Sequence, residues 1–234
     1  MTTFVLVHGG WHGAWCWEQV NARLSEAGHA VYTPTLAGLG ERSHLLDPGI
    51  GLDAHVRDVV DVLELEGLVG HSYGGMVISG AAELAASRLA HLVFLDAFVP
   101  EDGQSLLDLL RPERRDLYLR AAKEHGEGWR VPPPPPKAWG ITDEVSAARL
   151  AGRLTLQPLR TFEHPVQLKD PAASALPRTY VHCTAGPLVP SFAPFAARAR
   201  SDAGWRYREL ATGHDAMLTA PEDLAELLLK PRRT

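Results

Sequence analysis

The sequence has few cysteines, no long hydrophobic run and no large block of one charge sign. Its two cysteines, Cys16 and Cys183, lie far apart in the chain. That excludes a disulfide-stapled miniature fold and reads as two buried thiols in a reducing compartment. No stretch approaches the ~18 apolar residues that a membrane span needs. The opening Met1-Thr2-Thr3-Phe4-Val5-Leu6-Val7-His8 has neither the basic start nor the apolar length of a secretory signal. A cytoplasmic protein with no membrane association is therefore expected. The net charge is −5, and basic residues gather only at 111–115 and in the tail at 230–233. No nucleic-acid footprint follows from that pattern.

What is present is enough apolar matter for one sizeable core. Of 234 residues, 45% are hydrophobic, which suits one domain with a small insertion. Phe4 to His8 is a continuous apolar run that stops at Gly9-Gly10, as a strand buried on both faces of a parallel sheet would. Helical spacing follows over Ala14 to Ala27 and ends at Gly28. Ala30 to Thr33 is the next strand, Ala54 to Leu65 an amphipathic helix, and Leu68 to His71 a short strand running straight into Ser72. A small-residue helix over Gly74 to Ala86 and a strand over His91 to Asp96 come next. Strands return at Arg178–Cys183 and Trp205–Leu210, with a closing helix after Pro221. The alternation predicts an α/β protein with a mostly parallel, doubly wound sheet.

Residues 98–177 break that alternation. They hold polar helices around Ser105–Glu124 and 142–154, and five consecutive prolines, Pro132–Pro136. The proline run predicts a stiff polyproline II spacer or rim. The block reads as a small helical cap inserted after the strand that ends at Asp96, leaving 1–97 and 178–234 as the core.

Gly70-His71-Ser72-Tyr73-Gly74 fits G-x-S-x-G, with a strand before it and a helix after it, which is the context the motif requires. The tight turn forces the serine into a strained backbone, and the flanking glycines avoid clashes. Ser72 is thus the candidate nucleophile. A serine hydroxyl is weak until a base takes its proton, and in chain order the base should follow the last strand. His214, in Thr212-Gly213-His214-Asp215, stands there. His71 must point away from the nucleophile beside it. His8 and His12 lie on a glycine-rich turn, so no metal pair is expected, and no cofactor is implied. A developing oxyanion needs two backbone N–H donors, for which Tyr73 and Gly10 are the candidates. Trp11, Phe98, Trp129, Trp139, Phe192 and Met217 are candidate walls of a flat, apolar acyl pocket.

The stretches VLVHGGWHGAWCW, TLAGLGERSHL, GHSYGGMV, LDAFVPEDG, RTYVHCT and ATGHDAMLTAPEDLA resemble the methylesterase and hydroxynitrile-lyase branch of the α/β-hydrolase superfamily. The similarity runs nearly end to end and includes the cap segment WGITDEVSAARLAGRLTLQPLRTF. It implies the α/β-hydrolase fold, a cofactor-free serine mechanism and a small hydrophobic or aromatic acyl substrate beneath the cap. Three departures matter. Gly186 stands where the family usually carries its acid. The segment from Leu63 to Val69 is several residues shorter than usual. Gly9 and Asp215 replace the threonine and lysine of the lyases, which argues against lyase chemistry. With the usual acid gone, Asp96 is the preferred orienter of His214. Asp215, Glu209, a cap residue or a dyad without an acid are the alternatives.

The expected function is acyl transfer through an acyl-Ser72 intermediate, as hydrolysis of a small-molecule ester or thioester. One alternative is an acyltransferase that draws an aryl group from a carrier-protein thioester, with an acyl carrier protein as partner. Another is a ligand-binding protein that has kept the fold and lost its rate.

Overall fold

The computed structural model describes residues 2–63 and 66–230. Among the described residues eight strands are formed: β1 (Thr3–Val7), β2 (Ala30–Tyr32), β3 (Glu66–His71), β4 (Leu89–Leu95), β5 (Arg130–Val131), β6 (Gln157–Pro158), β7 (Arg178–Cys183) and β8 (Trp205–Leu210). Six of them make one sheet in the order β2-β1-β3-β4-β7-β8, and every neighbouring pair in it is parallel. β5 and β6 pair antiparallel as a separate ribbon. The chain therefore has the doubly wound α/β architecture of the α/β-hydrolase fold.

The continuous apolar runs lie in the middle of the sheet. Val5, Leu6, Val7, Leu68, Val69 and the stretch from Leu92 to Leu95 are all buried, as covering both faces of a parallel sheet demands. The edges are wetter, and β8 has only Leu210 buried. Register then decides where the site falls. Val7 sits opposite Gly70, His71 opposite Leu95 and Leu95 opposite Val181. The loops leaving β1, β3, β4 and β8 consequently emerge along one edge, the carboxyl ends where open α/β sheets hold their ligands.

The helices flank the sheet in packed pairs, Glu18–Glu26 against Pro221–Leu229 and Leu52–Val60 against Gly74–Ala85. The helix expected from Ala14 opens instead as a 3-10 turn, Ala14–Trp17, in which Trp15, Cys16 and Trp17 are all buried. The helix expected over Ala54 to Leu65 runs over Leu52–Val60; the end expected at 64–65 lies outside the described residues, as does the tail at 231–233. β3 and β4 each begin two residues before the apolar stretch that marks them, because Glu66 and Leu89 extend the backbone pairing across a register shift.

Residues 98–177 carry five short helices, Leu106–Leu109, Pro112–His125, Glu144–Ala151, Arg160–Glu163 and Pro171–Ser174, together with the β5–β6 ribbon. The first is closed by a capping box in which Ser105 and Asp108 exchange hydrogen bonds. In the proline run, Pro135 has polyproline II angles, but Pro136 starts a 3-10 turn, Pro136–Trp139, ended by Gly140 at φ +87°. The expected rod thus ends in a turn, because a proline is well suited to a first helical position. The Pro171–Ser174 helix packs on the core helix Gly74–Ala85. Among the described residues, no helix is long and apolar enough to cross a membrane.

Candidate active site

Ser72 follows the last residue of β3 and is held at φ +55°, a left-handed conformation that costs a non-glycine residue about 1–3 kcal/mol. Hydrogen bonds on both sides fix it. Its N–H donates to Leu95 O at 3.2 Å, and its carbonyl accepts from Gly75 and Phe98 N–H at 3.0 and 3.2 Å. The elbow closes only because its glycines lack side chains. A Cβ at Gly74 would meet Val7 O at 2.8 Å, and one at Gly75 would meet Phe98 O at 2.1 Å.

His214 leaves the loop after β8 and places Nδ1 2.7 Å from Asp96 Oδ2. An ionised carboxylate only accepts, so the ring donates from Nδ1 and keeps its lone pair on Nε2. Both side chains are buried, at 2% and 1% exposure. The other oxygen of Asp96 accepts the Cys183 N–H at 3.2 Å, and the Asp96 backbone bends to φ +40°. Phe192 stacks on the imidazole with centroids 4.6 Å apart and planes 15° from parallel. His71 Nε2 donates to the His214 carbonyl at 3.0 Å.

The competing carboxylates lie elsewhere. Gly186, at φ +91°, offers no side chain. Glu209 accepts from the Tyr207 hydroxyl at 2.8 Å and faces Arg200 at 3.7 Å. Asp215 makes no hydrogen bond through either oxygen and lies beside His12 and His71. His71, His214 and Asp215 each offer a ligand atom within 4.8 Å of the others, but hydrogen bonds to Asp96 and to a carbonyl already engage one nitrogen of each imidazole.

Of the two residues expected to supply oxyanion donors, Tyr73 directly follows Ser72 and Gly10 lies in the loop after β1. Tyr73 leads into the helix Gly74–Ala85, whose first amides have no partner within the helix. Gly10 belongs to the loop after β1, where Trp11 adopts φ +63°. That loop is held from both sides: His12 Nδ1 donates to Gly10 O at 2.7 Å, and Trp11 N–H donates to Gln157 Oε1 at 3.0 Å. Beneath it, His8 accepts from Leu36 N–H through Nε2 at 3.1 Å and donates through Nδ1 to Gly9 O at 2.8 Å. Burial holds His8 neutral, its pKa lowered to about 3. His55 is neutral for the same reason, lowered to about 4; it donates to Ala37 O at 2.8 Å and accepts the Tyr73 hydroxyl at 2.9 Å.

Ser72, His214, Trp11, Tyr73, Phe98, Trp139 and Phe192 all border one cavity of about 30 Å³. Two expected wall residues are not there. Trp129 follows the turn that closes the helix Pro112–His125, and lines a separate surface depression with Pro48 and Arg160; its ring pairs with the Arg130 guanidinium at 5.1 Å. Met217 is fully buried in the core, because the turn Ala216–Thr219 directs it inward. In their place the cavity recruits Arg114, Tyr118 and Phe162. The two rings meet Trp11 edge-on at 5.3 and 5.5 Å. Only the one-turn spacing of Arg114 and Tyr118 hints at this in the sequence. Nothing local marks Gln157, the buried residue that pins Trp11.

Residues 4–227 match the model of the Alpha/beta hydrolase family. The chain is 39% identical to a carbendazim hydrolyzing esterase from Nocardioides sp. (strain SG-4G), over 97% of this chain and 98% of that one. It is 41% identical to putative methylesterase 11, chloroplastic, of Arabidopsis thaliana, over 50% of this chain and 32% of that one. Among solved structures, an extracellular alpha/beta-hydrolase from a Paenibacillus species, described as sharing structural and functional homology with tobacco salicylic acid binding protein 2, superposes with a TM-score of 0.86 at 28% identity, covering 100% of both chains. Sheet order, elbow and relatives agree: the chain belongs to the alpha/beta hydrolase family and is an enzyme of its esterase type.

Proposed function

We propose that the protein hydrolyses esters of small aromatic or apolar acids through an acyl-Ser72 intermediate. The observation that carries this reading is the 2.7 Å contact of Asp96 with His214 Nδ1, which leaves Nε2 as the basic nitrogen on the cavity that Ser72 also lines. In the first half-reaction Ser72 Oγ attacks the carbonyl carbon while His214 Nε2 takes its proton. The Gly10 and Tyr73 amides hold the oxyanion. The tetrahedral species collapses, the C–O bond to the alcohol breaks, and His214 returns the proton to the leaving oxygen. Water repeats the sequence to free the acid and Ser72. Asp96 orients the ring and stabilises the imidazolium throughout.

A cavity of about 30 Å³ holds little more than a water, so residues of the 98–177 cap shift to admit an acyl group. A separate cleft of about 420 Å³ is lined by Trp15, Gly140, Ile141 and Leu218. Trp139 lines the Ser72 cavity and the next residue, Gly140, lines the cleft, so a shift of this turn is the natural way to widen the site. The aromatic lining favours a flat acyl group, and the named activity of the Nocardioides relative, carbendazim hydrolysis, supports an aromatic substrate. At Gly9, a Cβ would stand 3.0 Å from Ser72 Cβ, which supports ester chemistry over a lyase that places threonine there. The buried free thiols of Cys16 and Cys183 support a cytoplasmic setting.

Intact-protein mass spectra after brief exposure to activated aryl and alkyl esters and thioesters, wild type beside Ser72→Ala, test the reading. The expected result is a transient adduct on wild type alone that decays in water. An adduct that persists until another acceptor is added would assign a transferase, with a carrier-protein thioester as donor. Aromatic-acid binding without adduct or turnover would assign a binding protein.

A further inference from the structure

Behind the cavity, a second set of buried groups is left unused by the mechanism above. Asp215 is 1% exposed, yet neither carboxylate oxygen has a hydrogen-bond partner. Its Oδ2 lies 3.8 Å from His12 Nε2 and its Oδ1 lies 3.7 Å from His71 Nε2. These are ion-pair distances, too long for direct hydrogen bonds. His12 is 1% exposed and His71 likewise.

The ring nitrogens constrain the protons. His12 Nδ1 faces the Gly10 carbonyl at 2.7 Å, and a carbonyl only accepts, so that nitrogen carries hydrogen. A neutral His12 would then turn the lone pair of Nε2 toward a carboxylate. The same reasoning puts the proton of His71 on Nε2, which donates to His214 O at 3.0 Å and lies beside Asp215 Oδ1. A buried carboxylate without donors is costly unless a countercharge lies near. One additional proton, on His12 Nε2, turns the repulsive contact into an ion pair. The surroundings suit a cation: Trp15 stacks on His12 with centroids 5.3 Å apart and planes 25° from parallel. The other groups around the pair are the edge-on rings of Trp139 and His71 and the thiols of Cys16 and Cys183, both pushed upward by burial, with the Asp215 charge adding to Cys16 and the Asp96 and then Asp215 charges to Cys183.

The positions in the chain give the cluster its purpose. His12 is two residues past Gly10, His71 immediately precedes Ser72, and Asp215 immediately follows His214. Two loops and a strand end, which supply an oxyanion donor, the base and the nucleophile, therefore meet at one carboxylate. We infer that His12, His71 and Asp215 form a second buried triad, with one proton held between His12 and Asp215, that positions the oxyanion loop and the base loop against the nucleophile strand. Its members are positioning residues; none lines the Ser72 cavity. The catalytic consequence rests on the acyl-Ser72 reading, while the protonation state does not.

Imidazole ¹⁵N spectra of the full chain near neutral pH, recorded for wild type and Asp215→Asn, test the proton directly. The expected result is two protonated nitrogens on His12 in wild type and one in the variant. Steady-state kinetics on the same proteins should show kcat about 10²-fold lower in Asp215→Asn, the scale of a small misplacement of reacting groups, with KM within about threefold. A neutral His12 in wild type, or a kcat within about twofold of wild type in a folded Asp215→Asn, overturns the inference. Should Asp215→Asn fail to fold, His12→Gln takes its place in the kinetics and the wild-type spectrum decides the proton. Absence of Ser72-dependent turnover in wild type would count against the proposed function, and the spectrum would still decide the triad.

Discussion

Below the cavity, Ser72, Asp96 and His214 stand at or just past the ends of strands whose register fixes them, and each is tied by hydrogen bonds to a neighbouring strand or loop. Above it, Trp139, Tyr118 and Phe162 come from the segment between β4 and β7 and meet the floor mainly through ring contacts with Trp11. Directional links cross the gap as well, among them the indole N–H of Trp11 to Val131 O at 2.9 Å, its backbone N–H to Gln157 and Thr155 N–H to its carbonyl at 3.0 Å. The floor is over-determined, as a reacting constellation must be. The three roof rings themselves meet Trp11 through non-directional contacts, which tolerate rearrangement. On the proposed acyl-Ser72 reading, rate belongs to the floor and substrate choice to the roof.

Trp139→Ala is the strongest way to break that division. Removing its ring from the cavity lining should raise kcat/KM for bulky aryl esters over acetate esters by about tenfold, a shift on the order of 1.4 kcal/mol. The kcat for small esters should stay within about threefold. A uniform loss of about 10²-fold in kcat would mean that the roof also positions the reacting atoms.

A smaller effect sharpens the description of the floor. His55 has a folded-state pKa of about 4, lowered by burial from 6.5. The unfolded chain therefore binds more protons between those values, and stability rises with pH there. The contribution is complete above pH 6.5 and is lost as pH falls toward 4. Urea denaturation at pH 7, 5.5 and 4.5 (roughly spanning the window) should show this decline, and His55→Gln should flatten it. An unchanged slope in His55→Gln would assign the decline to other groups, with His8, lowered to about 3, first among them.

The floor was legible in the sequence because its rules are local. A glycine-flanked serine between an apolar strand and a small-residue helix has few other uses, and Asp96 at a strand end needed only the strand order to reach His214. Distant meetings were not legible. That Asp215 lies beside His12 and His71 depends on how two loops pack against the end of β3, which no spacing encodes. Trp129 and Met217 mark the same limit in the roof: composition indicates an aromatic, apolar lining, but the turns that aim one ring outward and one thioether into the core are tertiary outcomes. The proline run marks where stiffness stops being sequence-determined, since its last residue serves the turn that carries Trp139.

The central claim is that Asp96 serves His214 in place of the acid missing at Gly186, and Asp96→Asn tests it most directly. With circular dichroism and thermal melting confirming an intact fold, kcat for an activated aryl ester should fall by at least about 10³-fold, because the amide favours the wrong imidazole tautomer. A loss of less than about tenfold in a folded variant would contradict the account and return the role of the acid to another residue or to none.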